Sequence, residues 1–515
     1  MNTSQRVIKN TMWLYLRMGA SILVNVFTTR ILLQALGASD YGLYNVVGGA
    51  ITMLGFLTAS MSTSTQRFIS YTLGEGNEER LKSIFNNTLC VHYAIAGLSA
   101  LLLIAASFVW FNGALNIPDG RETVAMFVYG CLVFSTIYSI TIVPYDGVLN
   151  AHENMRFYSL IGIFDVFVKL GIAVAVYFAT FDQLVLYATL MALEAWILRV
   201  ITKYYCSRHY KECRRQELRK YFNRTTIKEL TSFAGWNMLN IATLMFSVFG
   251  ISLVVNHYFG TTLNAALGVA TQLSGVLMGI SMNMIKAITP ILVKSEGGHK
   301  RENVLKIIFV GCKFSFLLFS FFCIPVMFYI PQVLDLWLED VPAWTVTFCI
   351  LMMTSTLIDQ MTVFLYQSLQ AQGNIKAYSI VKGVVNILPI LSSILMFSLF
   401  GLEPYWALIN LIIGKGILGG IINLYYCSKN ISLPLGGFAS KVIVRCLNVT
   451  LCSVLFGLVL HSVSIHWLLG ISLFFISSVP CYWLWGMNRE ERKMTMNFIK
   501  RKSNHEHNKT YFRKP

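Results

Sequence analysis

The sequence predicts an all-α polytopic membrane protein of about 14 transmembrane helices, built as two parallel six-helix repeats followed by two extra helices. Three observations lead there: an apolar composition, a one-sided distribution of basic residues and an internal duplication. Of the 515 residues, 55% are hydrophobic and 13% are charged, with a mean hydropathy of +0.60. Soluble domains carry about 25% charged residues, so this chain cannot cover itself with a wetted surface. That excludes a large soluble enzyme, and the disordered, collagen-like and coiled-coil classes fail on the same numbers.

Apolar runs of spanning length recur between polar breaks. They lie at 12–35, 42–61, 87–110, 122–144, 157–178 and 183–206, then at 230–255, 262–285, 306–330, 343–366, 378–400, 404–427, 442–461 and 466–486. The runs are long and continuously apolar, not alternating over about ten residues, so they read as helices and not as barrel strands. The first block is a full span preceded only by Met1 to Thr11, so no cleavable signal is expected. The chain divides into a six-span lobe (1–206), a basic cytoplasmic linker (207–229), a second six-span lobe (230–427), two extra spans (428–488) and a basic cytoplasmic tail (489–515).

With the N-terminus in the cytoplasm, the inner loops and tails hold 31 of the 41 Lys and Arg residues, and the outer loops hold one, Arg121. This bias follows the positive-inside rule and supports an even number of spans with both termini cytoplasmic. The net charge of +17 is therefore a topology signal and not a nucleic-acid footprint. The basic tail is also suited to rest on anionic lipid headgroups. The 11 cysteines mostly lie inside apolar blocks and show no Cys-x-x-Cys spacing, so they read as small apolar residues without a metal or cofactor.

The inner loop Leu149–Ser159, LNAHENMRFYS, matches Leu369–Ser379, LQAQGNIKAYS, at an offset of 220. Ser135-Thr136 and Ser355-Thr356 share that offset. Upstream the offset is 223, pairing Leu54 with Leu277, Met61 with Met284, Gly74 with Gly297 and Ile84 with Ile307. The three-residue change is expected in an outer loop. Apolar runs match by chance, but a matched polar loop does not. Copies six spans apart have the same orientation in the bilayer, the arrangement of a transporter that rocks about a central cavity.

Ionisable residues within spans are costly and mark sites. Arg17, Arg30, Lys169, Arg199 and Lys415 are the candidate substrate-binding cations, and Asp165, Glu194 and Asp359 are candidates for ion coupling. Asp165 and Lys169, four apart on one helical face, can also neutralise each other. Glu194 can do the same with Arg199 or Lys415. Lys203, Lys313 and Arg445 sit near inner ends, where snorkelling is expected. Cations outnumber anions within the spans, so the cavity is expected to be electropositive and the cargo anionic, with Arg offering a bidentate match to phosphate. No phosphate-binding Gly loop and no oriented nucleophile is present, so the chain does not read as an enzyme.

The stretches TRILLQALGASDYGLYNVVG (29–48), QRFISYTLGEGNEERLKSIF (66–85) and PYDGVLNAHENMRF (144–157) resemble the Wzx-like polysaccharide-biosynthesis flippases of the multidrug/oligosaccharidyl-lipid/polysaccharide exporter (MOP) superfamily. The resemblance covers about residues 6–486. It implies fourteen helices in the bacterial inner membrane. It also implies passage of an undecaprenyl-pyrophosphate-linked oligosaccharide from the cytoplasmic to the periplasmic leaflet for O-antigen, capsule or exopolysaccharide assembly. Implied partners are the lipid-linked glycan, membrane lipid, glycosyltransferases and the glycan polymerase. Arg30 falls within the first matched stretch. The rival expectation is a cation-coupled small-molecule or drug exporter of the same fold, but that branch places an acid on the first helices, and spans one and two carry none.

Overall fold

The computed structural model describes residues 3–52, 55–111, 117, 120–214, 218–338, 340–463, 466–489, 491–493 and 496. Among them the chain is helical almost throughout and forms no strand. In order come α1 (Thr3–Thr52), α2 (Gly55–Glu75), α3 (Glu78–Val109), α4 (Glu122–Ala151), α5 (Met155–Tyr177) and α6 (Gln183–His209). Two short helices, α7 (Lys211–Arg214) and α8 (Leu218–Tyr221), precede α9 (Arg224–Phe259), α10 (Thr261–Gly297), α11 (Arg301–Phe328) and α12 (Ile330–Trp337). Then follow α13 (Thr345–Gln360), α14 (Val363–Gln372), α15 (Lys376–Phe400), α16 (Trp406–Leu411), α17 (Gly419–Ile431), α18 (Leu435–Phe438), α19 (Val444–Ser462) and α20 (Trp467–Cys481).

Among the described residues twelve helices are long and apolar enough to cross a membrane, and up to thirteen if α13 and α14, bent by 47° at their junction, form one span. The protein is thus an all-helical, multi-pass membrane protein. Within such helices every backbone group bonds inside its own segment, which hydrocarbon demands. The expected span 42–61 falls on the end of α1 and the start of α2, and its residues 53–54 lie outside the described residues. Helix α1 is broken by Gly37, whose φ of 71° combined with ψ of 169° is a conformation essentially confined to glycine. Side-chain caps fix several starts: Asn77 accepts from the Arg80 amide, Asn154 from Phe157, and Asp182 from Leu184 and Val185.

The duplication is written in the backbone. Glu78 and Arg301 begin equivalent helices at the offset of 223, as do Glu122 and Thr345. Gly76 and His299, also 223 apart, both turn left-handed with φ of 75° and 54°. Glu153 and Gly373, 220 apart, do the same with φ of 59° and 89°. In the matched loops the Glu153 amide donates to Asn150 O at 3.0 Å and the Gly373 amide to Gln370 O at 3.1 Å. One expectation is corrected: the three-residue change does not fall in an outer loop. The helix starts keep the larger offset, and Ser135 and Ser355 already have the smaller one, so the change lies inside the fourth span of each repeat. Further along the same span, where the offset is already 220, α4 runs unbroken past Pro144 whereas its counterpart is the bent pair α13–α14.

The chain forms two compact units. The first comprises residues 1–246, 283–305 and 367–384. Its core contains Phe85, Tyr145, Leu149, Cys206, Phe233 and Ile375, and a second cluster holds Val47, Val128, Tyr129, Ala173 and Tyr187. The segment read as a plain linker docks on this unit. Glu212 meets His152 at 2.7 Å, Lys211 meets Glu78 at 2.9 Å, and Asn87 donates to Tyr221 O and accepts from the Asn223 amide. Arg121, just before α4, clamps Asp40 of α1 and Asp182 before α6. Burial works against ionisation of Asp182, but the Val185 amide and the Arg121 guanidinium hold its carboxyl below the usual aspartate range.

The second unit comprises residues 247–282, 306–366 and 385–515. Ser274 and Thr356 bond at 2.9 Å, Asn423 donates to Thr362 at 3.1 Å, and Asn410 donates to Ser393 at 3.0 Å. Lys313 corrects the snorkelling expectation. It is 1% exposed and its Nζ donates to Glu491 at 2.7 Å, so the start of the tail supplies the counter-charge to a cation in the core of α11.

Candidate functional site

The first unit carries a polar group assembled from four helices. Arg17 of α1 lies against Gly162 of α5, where any Cβ would overlap the guanidinium. Its Cζ stands 4.7 Å from the centre of the Tyr158 ring. Tyr158 follows the Asn154 cap by one helical turn, which fixes its direction from the start of α5. Lys286 of α10 reaches the same tyrosine: Nζ donates to Oη at 2.6 Å and lies 3.8 Å from the ring centre. Asp146 of α4, two residues after Pro144, interacts electrostatically with both Lys286 and Arg17. All four side chains are partly solvent-accessible. The group therefore holds two cations and one carboxylate around one phenol. Stacking on the ring leaves part of each cation's donor set free for an anion.

Helices α5 and α6 build a neighbouring cluster. Lys169 meets Asp165 at 2.7 Å. Glu194, 6% exposed, lies within hydrogen-bonding reach of Asp165 and near Lys169. Arg17 interacts with Asp165 across the gap. The partner expected for Glu194, Arg199 or Lys415, is thus replaced by Asp165 and Lys169. Arg199 stands elsewhere, 7% exposed, 3.5 Å from Tyr93 Oη and 5.2 Å from the Tyr145 ring centre. Arg30 is exposed and has no ion-pair partner among the described residues.

In the second unit Lys415 sits on a π-helical turn, Ile412–Leu418, inserted between α16 and α17. Such turns re-aim side chains and recur at functional sites. Lys415 Nζ is 4.0 Å from Asp359, which lies one residue before the end of α13, at the bend. A cavity of about 290 Å³ in this unit is lined by Phe249, Ser252, Leu267, Thr271, Gln272 and Met352 among others, none of them charged.

Of the residues expected from sequence, Arg17 joins the first group, with Asp165, Lys169 and Glu194 beside it. Lys415 and Asp359 pair with each other. Lys286, Asp146 and Tyr158 were missed. The apolar cuts at 285 and 144 placed the two charged ones in loops, yet α10 and α4 continue through them to Gly297 and Ala151. The signal was present: apolar sequence resumes after Lys286 as AITPILV, and a proline such as Pro144 is compatible with a membrane helix.

No protein-family model matches the chain, and no curated protein matches it. Solved structures do. An outward-facing multidrug resistance MATE family transporter of the MOP superfamily superposes with a TM-score of 0.69 at 14% identity, covering 84% of this chain and 96% of that one. A MATE in complex with MaD3S gives 0.71 at 14% identity, with coverage of 84% and 97%. A MOP superfamily transporter from Pyrococcus furiosus, described as having a binding pocket of reverse polarity that suggests a different function, gives 0.70 at 13% identity, with coverage of 84% and 96%. The chain therefore has the fold of the MOP-superfamily transporters.

Proposed function

We propose that this chain is a flippase that carries an undecaprenyl-pyrophosphate-linked oligosaccharide from the cytoplasmic to the periplasmic leaflet of a bacterial inner membrane, both termini being cytoplasmic. The observation that carries the reading is the convergence of Arg17 and Lys286, one from each repeat, on Tyr158 inside candidate spans. Two half-buried cations on a phenol ring suit a pyrophosphate better than a cationic drug. The lobes 1–206 and 230–427 are read as the moving bodies, with Lys169 as a further contact for the headgroup in the first unit and Lys415 kept as the candidate cation of the second. Arg30 and Arg199 keep only a secondary place, Arg30 for want of neighbours and Arg199 because aromatic rings occupy it. The prenyl tail stays in lipid. Asp165, Glu194 and Asp359 remain the candidates for coupling to an ion. The neighbour described by a pocket of reverse polarity is consistent with one fold serving cargoes of opposite charge.

A second reading, a cation-coupled drug exporter, draws on the likeness to a multidrug resistance transporter and on the Asp165–Glu194 contact. A leaflet assay of lipid-linked glycan in cells separates the two. Loss of outward delivery in Arg17→Ala and Lys286→Ala, at normal protein levels, supports the flippase. Cationic dye efflux with unchanged glycan delivery supports the exporter.

A further inference from the structure

The matched loops do more than mark the duplication: each is gripped by the other repeat. Arg67 of α2, in the first repeat, donates from Nε to Ala371 O at 3.2 Å and from Nη2 to Gln372 O at 3.0 Å. Those carbonyls end α14, in the second repeat, where the helix leaves its last acceptors without internal partners. The guanidinium is backed by the rings of Phe68, Tyr71 and Phe233, 4.5, 4.8 and 5.5 Å from their centres. From the other repeat, Lys294 of α10, the equivalent of Tyr71 and one helical turn past the equivalent of Arg67, donates to Glu153 at 2.8 Å, just past the end of α4 in the first repeat. Arg6 adds a second cation 3.8 Å from the same carboxylate. Glu153 and Gly373, the left-handed residues of the two loops, are repeat equivalents.

Between these grips the helices touch backbone to backbone. A Cβ on Gly74 would overlap the carbonyl oxygen of Lys294, and a Cβ on Gly297 would overlap that of Tyr71. Gly74 and Gly297 are 223 apart, and so are Tyr71 and Lys294. The contact is thus self-complementary: residue i meets the copy of j, and j meets the copy of i, as at a two-fold interface. All of these residues lie within the first compact unit.

We infer that Arg67, Lys294, Glu153 and the Gly74–Gly297 contact form a two-sided lock that fastens the basic ends of the two repeats together and must release for cargo to enter from that side. The inference rests on the transport reading for its purpose but not for its geometry. The lock is built on charge-assisted hydrogen bonds to helix ends, which water can replace on opening, and on a backbone contact that leaves no bulky side chain to extract. It is therefore closable and releasable, unlike an apolar seam.

Ser70 reports on it. The residue is fully buried and lies on the face of α2 that carries Arg67, Tyr71 and Gly74. In the full-length protein in lipid nanodiscs, Ser70→Cys is alkylated and read by peptide mass spectrometry, which keeps native cysteines separate. Labelling is expected to be slow in that background and to rise on the order of tenfold or more with Arg67→Ala plus Lys294→Ala, since each lost charge-assisted bond is worth about that factor. Gly74→Leu is expected to do the same by obstructing closure. Cys206, in the core of the same unit, must stay unlabelled, which separates opening from unfolding. Unchanged Ser70→Cys labelling in both variants, or equal labelling of Cys206, overturns the lock. Increased labelling in these variants, together with cationic dye efflux and unchanged glycan delivery in Arg17→Ala and Lys286→Ala, keeps the lock and overturns the flippase reading.

Discussion

Tyr158 has its ring faced by two cations from different repeats, and the proposed anionic cargo rests on that pattern. If the group binds pyrophosphate, Arg17→Ala and Lys286→Ala each weaken cargo binding about tenfold to a hundredfold, because a hydrogen bond to a charged group contributes roughly 1.5–3 kcal/mol. Lys286→Arg keeps most of the affinity. Titration with a short-chain polyprenyl pyrophosphate in detergent measures it. Lys313 plays a different part. It is paired with Glu491 in the core of α11, so Lys313→Ala strands a carboxylate and lowers stability by about 3 kcal/mol, the low end for a broken buried pair because Glu491 keeps some contact with solvent. Replacing both residues, Lys313→Met with Glu491→Leu, recovers most of the lost melting temperature. Charges within spans were visible in the sequence as candidates, and so was the pair Asp165–Lys169 on one helical face, but partners on other helices were not. Glu194 finds Asp165 and not Arg199, because the rotation of α6 against α5 decides which of its faces meets the acid, and no spacing rule contains that rotation.

Helices are the scale at which the sequence spoke most clearly. Apolar runs and polar gaps located the helices because hydrocarbon forbids unpaired backbone, so hydropathy and structure are bound together. Helix ends were less legible. The runs stop at 144 and 285, but α4 and α10 continue to Ala151 and Gly297, carrying Asp146 and Lys286 inside. A charge facing a polar group does not end a helix, although it ends an apolar run. The linker was read as a tether and is instead docked through Glu212 and Asn87. Just before α4, Arg121 ties α1 to the starts of α4 and α6. Asp182 is held below the usual aspartate range, so its contribution is present above about pH 4 and is lost as pH falls through its lower folded value. Arg121 stays charged throughout. Hydrogen exchange at the starts of α4 and α6, taken relative to the intrinsic rate at each pH, should therefore lose protection as pH falls below about 4, and Arg121→Ala should remove the transition.

For the whole molecule, the fold of the MOP-superfamily transporters, the one-sided basic residues and the duplication agree. The duplication was legible because a polar loop was copied with its chain; its mechanical meaning was not, because Arg67 and Ala371 lie far apart in sequence. The orientation is testable on its own. On the sequence reading that puts nearly all loop and tail basic residues in the cytoplasm, a protease site placed in the 207–229 linker is expected to be cut only from the cytoplasmic face. The most direct test of the central claim uses the purified protein in liposomes with a fluorescent polyprenyl-pyrophosphate oligosaccharide, and follows the fraction of headgroup that a membrane-impermeant quencher can reach. The account predicts transfer between leaflets by the wild-type protein and its loss in the combined Arg17→Ala, Lys286→Ala variant, which remains folded by thermal melting. Transfer at the wild-type rate by that variant, or none by the wild-type protein under conditions where it exports cationic dye, would contradict it.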